Sequence, residues 1–155
     1  MRALTVRQPW ATLLVRGVKR FETRSWAYRP FEYVEPRPYR DYGGEYRSLL
    51  PMRIAIHAAK AFPVGDQDYT RWLRDVLRLI DTEDLPLGMV VGEATYVGPI
   101  LSSPATRREL RPSRTELELG DWSDGRVLWS FTDPIEWDVP IPVRGKQGVW
   151  RWARA

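Results

Sequence analysis

An α+β fold, a small β-barrel with two or three helices packed on it, is what this sequence predicts. Three features carry the prediction. Short extended segments outnumber helical ones, Gly and Pro separate nearly all of them, and helical periodicity is clear in two stretches and brief in a third. The 155 residues, 43% hydrophobic and 28% charged, suit one globular domain over 1–155 with one sizeable core.

Ala3 to Val6 is a short apolar opening strand. Pro9 suits the first position of a helix and Gly17 the left-handed residue just past its end, while Trp10, Leu13 and Leu14 share one face. Lys19 to Trp26 alternates, so as a strand it turns Glu22, Arg24 and Trp26 to one side and Phe21 and Thr23 to the other. Residues 27–51 interleave Tyr28, Phe31, Tyr33, Tyr39, Tyr42 and Tyr46 with Arg29, Arg37, Arg40 and Arg47, broken by Pro30, Pro36, Pro38 and Gly43-Gly44. That composition predicts a long loop with room for a hairpin. Arg53 to Ala59 reads as a strand. Asp66 opens the clearest helix, whose stripe is Tyr69, Trp72, Leu73, Val76, Leu77 and Ile80. Further strands are expected at Met89 to Val97, Val127 to Phe131, Val139 to Val143 and Gly148 to Trp152, with a helical turn at Arg107 to Leu110. Trp10, Trp72 and Trp129 are expected in the core.

Composition excludes several classes. With no cysteine there is no disulfide frame, thiolate nucleophile or Cys-based zinc site. His57 is the one histidine, so His-rich metal sites are out and a structural role on its strand is expected. The longest uncharged stretch, Ala94 to Thr106, is broken by Gly98, Pro99 and Pro104, so no membrane span is expected; without an export signal the cytoplasm is the default. No GxxxxGK[ST] or GxGxxG element is present, and no nucleotide cofactor is indicated. Charge is uneven. Residues 1–60 carry 12 Lys/Arg against 5 Asp/Glu, and residues 61–155 carry 12 against 15, within a net of +4. The basic excess lies where a polyanion is attracted. Among 24 cations only Lys19, Lys60 and Lys146 are lysines, which fits either chance or positions that need a compact ammonium rather than a planar guanidinium.

Gly17-Val18-Lys19-Arg20-Phe21-Glu22-Thr23-Arg24 reads G-x-K-x-x-E-x-R, directly after the helix opened by Gln8-Pro9-Trp10. Together these resemble the signature of the ASCH domain family, a branch of the PUA-like superfamily. Ile54 to Lys60, Val91-Gly92-Glu93 and Pro142 to Trp150 resemble later strands of the family in the same order, so the resemblance covers nearly the whole chain except an enlarged 27–51 loop. It implies a PUA-like β-barrel with a cleft under the first helix, nucleic-acid binding in most members and hydrolysis in some.

The residues add a narrower expectation. A carboxylate at Glu22 can accept from the exocyclic amine of a base, and Lys19 and Arg24 can meet phosphate or carbonyl oxygens. Flanking cations are expected to keep Glu22 ionised. Trp26 and the Tyr/Arg loop at 27–51 are the candidates for stacking on unpaired bases; the loop could equally pack on its own domain or form a dimer contact. The expected ligand-binding set is Gln8, Trp10, Lys19, Glu22, Arg24, Trp26, His57, Lys60 and Lys146, the expected partner single-stranded RNA, another single strand or a modified nucleotide, and no cofactor is required. Two hydrolase alternatives would make Lys19, Glu22 and Glu93 catalytic. One acts on N-acylated cytidine, but the branch with that activity carries threonine where this chain has Glu22. The other is a ribonuclease in which Glu22 and Glu93 hold Mg or Mn.

Overall fold

The computed structural model describes residues 1–34, 45–61, 67–79 and 85–153. Strands β1 (Arg2–Val6), β2 (Phe21–Arg24), β3 (Phe31–Val34), β4 (Glu45–Ser48), β5 (Met52–Ala58), β6 (Met89–Leu101), β7 (Val127–Pro142) and β8 (Val149–Arg151) are joined by helices α1 (Trp10–Val15), α2 (Gln67–Leu79), α3 (Pro104–Leu110) and α4 (Arg114–Glu118). Six strands form one sheet in the order β2-β7-β6-β5-β1-β8, parallel only between β1 and β5. Its ends curl toward each other, and the Arg24 Nη2 of β2 donates to the Thr5 carbonyl of β1 at 3.0 Å. This curled half-barrel with its helices is an α+β, PUA-like arrangement.

The curl arises from where apolar side chains alternate. Leu4, Ile54, Ile56, Ala94, Tyr96, Trp129 and Phe131 fill the concave side, closed by Leu14 and Val15 of α1. The opposite face of β1 and β5 is buried as well, with Ala3 and Ala55 against Trp150 and Trp152. A strand in this central position is covered on both faces, so Ile54 to Ala58 reads as a continuous buried run. Around α1, Gly17 has φ +72° as its position past the helix requires. Trp129 is fully buried, whereas Trp10 and Trp72 pack on each other half-buried, 5.7 Å between ring centroids.

Several boundaries differ from the sequence expectation. Val127 to Phe131 and the expected strand at Val139 to Val143, as far as Pro142, are parts of one strand, β7. Its prolines do not end it because they fall where pairing with β6 slips: register passes from Ile141 to Glu136 around Pro140, and from Ile135 to Thr132 around Pro134. A bulge leaves residues out of the ladder, so a missing N–H costs nothing there. β6 likewise runs on to Leu101 through a slip at Tyr96/Gly98. Extended pairing in 19–26 is confined to β2, because the Lys19 N–H still bonds the Leu13 carbonyl at the end of α1. In the 27–51 region β3 and β4 pair antiparallel; residues 35–44 lie outside the described ones, as do Asp66 and Ile80 of the expected helix. No helix among the described residues is long and apolar enough to cross a membrane.

Candidate functional site

Where the ends of the sheet approach each other, an open cleft of about 1670 Å³ runs along the seam. One wall is β2 and its continuation, carrying Glu22, Arg24 and Trp26. The other is the carboxyl ends of β1 and β5, with Arg7, His57 and Lys60; the loops 118–121 and 143–148 form the rims.

The alternation expected of β2 holds. Arg24 Nε lies 3.1 Å from Glu22 Oε1, and the guanidinium continues across the seam to Thr5. Thr23 points to the neighbouring loop, its hydroxyl accepting from the Asp121 N–H at 3.1 Å, and Phe21 meets Trp122 edge-on. Trp26 is 40% exposed, standing edge-on against Trp129 with centroids 4.7 Å apart. A half-exposed indole beside an arginine–carboxylate pair presents a stacking face and a hydrogen-bonding edge to one flat group.

Lys19 is placed otherwise than expected. It is 1% exposed and is not part of the cleft lining. Its ammonium donates to the Phe21 carbonyl and lies beneath the 118–121 rim, where a Cβ on Gly120 would come within 3.2 Å of Nζ. Glu116, on α4, accepts from the backbone N–H groups of Arg20 and Phe21 at 3.0 Å each and pins the start of β2 from below. Charge therefore continues under the cleft floor from Glu116 through Lys19 to Glu22 and Arg24.

Burial decides the protonation tendencies. Desolvation pushes the Lys19 ammonium below its ordinary value, against the attraction of Glu22 and Glu116. It pushes the Glu22 carboxyl up, with Lys19, Arg24 and Arg126 opposing. Flanking cations were expected to dominate at Glu22; at 9% exposure the lost hydration outweighs them.

His57 stands on the facing wall with a polar atom near each ring nitrogen. Nε2 lies 3.2 Å from the Val143 carbonyl, which can only accept, so Nε2 carries a proton; Nδ1 lies 3.2 Å from Thr5 Oγ1. The Thr5 hydroxyl also reaches the Lys146 carbonyl and accepts from Trp150 Nε1 at 3.0 Å. These bonds fasten the 143–148 rim to β1 and β5. Gly145 passes so close over the imidazole that a Cβ there would sit 2.1 Å from Cε1, so any larger residue must displace rim or ring. Desolvation lowers the basicity of His57, partly offset by the Val143 carbonyl.

The remaining expected residues divide. Lys60 and Lys146 are exposed on the lining. Gln8 is wholly buried and caps α1: its Oε1 accepts from Thr12 N–H at 3.1 Å, and Nε2 donates to Thr12 Oγ1 and the Pro86 carbonyl, both at 2.9 Å. Trp10 lines the cleft but commits its indole N–H to the Leu119 carbonyl at 2.8 Å. Glu93 does not line the cleft; it pairs with Arg53 at 2.8 Å, opposite Ile135, six residues along β7 from the Trp129 that faces Glu22. The described residues hold no cluster of three or more carboxylates and imidazoles able to ligate a metal.

Sequence reasoning passed over Arg7, Arg126, Arg144 and Glu116. Glu116 had a readable signal: Ser113-x-x-Glu116 is a helix-start pattern, and Ser113 Oγ does accept from the Glu116 N–H at 3.1 Å. The carboxylate, freed from reaching back to Ser113, turns to β2 instead.

A curled sheet closed by an arginine across its seam, with the G-x-K-x-x-E-x-R segment forming the cleft wall and floor, is a PUA-like arrangement. The chain is 30% identical over 151 residues to human activating signal cointegrator 1 and 28% identical over 151 residues to the mouse protein of the same name, covering 96% of its own length in both alignments. It is homologous to activating signal cointegrator 1, whose ASCH domain belongs to the PUA-like ASCH family. It spans 22% of the length of these relatives. No protein-family model matches the sequence.

Proposed function

We propose that this chain binds single-stranded RNA, or a nucleotide of the same chemistry, with an unpaired base placed between Trp26 and the Glu22–Arg24 pair. The observation that carries the reading is an open cleft in which an exposed indole stands beside a fixed carboxylate and guanidinium. Glu22 accepts from an exocyclic amine, Arg24 supplies donors to a ring carbonyl, and Trp26 stacks, a contact worth roughly 1–3 kcal/mol per base. The cleft exceeds the roughly 300–1,000 Å³ of small-molecule sites, which favours a strand over an isolated nucleoside. Such binding uses the chain's own groups and needs no cofactor. Lys19 serves from below, as the buried cation on which Glu22 and the Phe21 carbonyl rest. Homology to activating signal cointegrator 1 supports the domain type, while what that larger protein does as a whole extends beyond the shared part.

Fluorescence anisotropy with a labelled ten-nucleotide single-stranded RNA tests the reading. Wild type should bind at low salt, and Trp26→Ala should weaken it about fivefold or more. A wild-type protein that leaves the RNA free at low salt overturns the proposal.

A further inference from the structure

The cleft lining is electrostatically divided. On the β2 and α4 side every carboxylate already holds a cation: Glu22 with Arg24 at 3.1 Å, Asp121 with Arg126 at 3.1 Å, Glu118 with Arg114 at 2.7 Å. On the facing side the lining contains Arg7, Lys60, Arg144 and Lys146 and no carboxylate, and among the described residues none of these four makes an ion pair. All four are exposed.

Their convergence is built into the fold. Arg7 and Lys60 lie just past the parallel strands β1 and β5, whose ends are tied by the Ala59 N–H to the Val6 carbonyl at 2.8 Å. Gly88 joins the third position: its N–H bonds the Ala58 carbonyl at 2.9 Å, and its carbonyl accepts from the N–H of Val143, next to Arg144, at 3.1 Å. The Lys146 carbonyl is held by the Thr5 hydroxyl. Four cations with no ion-pair partner among the described residues are thus gathered on backbone anchored within one or two residues of each. Holding like charges together is repulsive unless an anion answers them.

Resting on the reading above, we infer that the cleft is bipartite. Bases face Trp26 and the Glu22–Arg24 pair, and the phosphodiester backbone crosses the carboxyl ends of β1 and β5, over Lys60, Arg144 and Lys146. The neutralised wall reads, and the unneutralised wall holds.

The two halves separate by salt. Each phosphate contact removed from a single-strand complex lowers the slope of log K against log salt by about 0.7. The labelled RNA decamer is titrated over a salt series with wild type, with Lys60→Gln/Arg144→Gln/Lys146→Gln, and with Trp26→Ala. The triple variant should lose about two units of slope, and Trp26→Ala should lose affinity at an unchanged slope. Arg144→Gln alone, a single exposed change, should lose about 0.7 and guards against misfolding of the triple variant. Wild-type binding with slopes unaltered in the glutamine variants overturns the bipartite cleft and leaves the base site standing. No wild-type binding overturns both.

Discussion

Glu22 and Glu93 are both strand glutamates with an arginine partner, at 3.1 Å and 2.8 Å, yet they sit in different physical worlds. Arg53, which holds Glu93, also donates to Thr95 Oγ1 and the Asp133 carbonyl, and the group lies half-exposed outside the cleft lining. Glu22 has a buried ammonium beneath it, a guanidinium bridging two sheet ends beside it and open cleft above. Pairing alone does not make a carboxylate functional. Glu22 differs in that its burial is incomplete on one side only, the side a ligand can occupy.

Removing the support should break this contrast most severely. Lys19→Met takes the buried ammonium from beneath Glu22, Glu116 and the Phe21 carbonyl, leaving Arg24 as the ion-pair partner of Glu22, and should cost about 3–5 kcal/mol, read by urea unfolding, because a buried charge network loses one of its members. A cost near that of an exposed pair would show that Lys19 is dispensable to the floor. Next, Glu22→Gln should weaken RNA binding about tenfold, an accepting oxygen having become an amide. It should also flatten one limb of the stability profile. The carboxyl's native pKa is raised above 4.5, so in wild type this group's contribution is most favourable below pH 4.5 and declines as pH rises toward the raised value. The Gln variant lacks that decline. A smaller effect belongs to the rim. His57 has its pKa lowered from 6.5, so its contribution is complete above pH 6.5 and is lost as pH falls through the native value. His57→Gln should remove that acid-side loss, seen as a smaller difference in Tm between pH 7 and pH 5. The least change is expected from Glu93→Gln, about 0–1 kcal/mol in stability with RNA affinity unaltered. A binding defect there as large as that of Glu22→Gln would erase the distinction between the two glutamates.

Much of the wall at β2 was readable from residues alone. Alternation in Glu22, Thr23 and Arg24 sets the direction of side chains, and the Pro9 to Gly17 framing marks α1, because both depend on local geometry. Residues that act across the fold were harder to read. Pro134 and Pro140 look like strand breakers until the partner strand shows the bulges that admit them. Lys19 precedes an exposed-looking strand, yet the Gly120 loop packs against its ammonium. The cationic wall draws Arg7, Lys60 and Arg144 from three separate segments, which no spacing within one segment can reveal. Gln8 and Glu93, both within recognisable motifs, turn out to be occupied by Thr12 and Arg53.

The central claim is that a ligand's base meets Trp26 while its backbone meets the loops after β5 and β7. Titrating ¹⁵N-labelled protein with the RNA decamer reads this directly. Resonances of the Trp26 indole, the Arg24 side chain and backbone amides near Lys60 and at 144–148 should move together, with the amides around Glu93 still. Shifts centred on Arg53 and Glu93, with the seam unchanged, would contradict it.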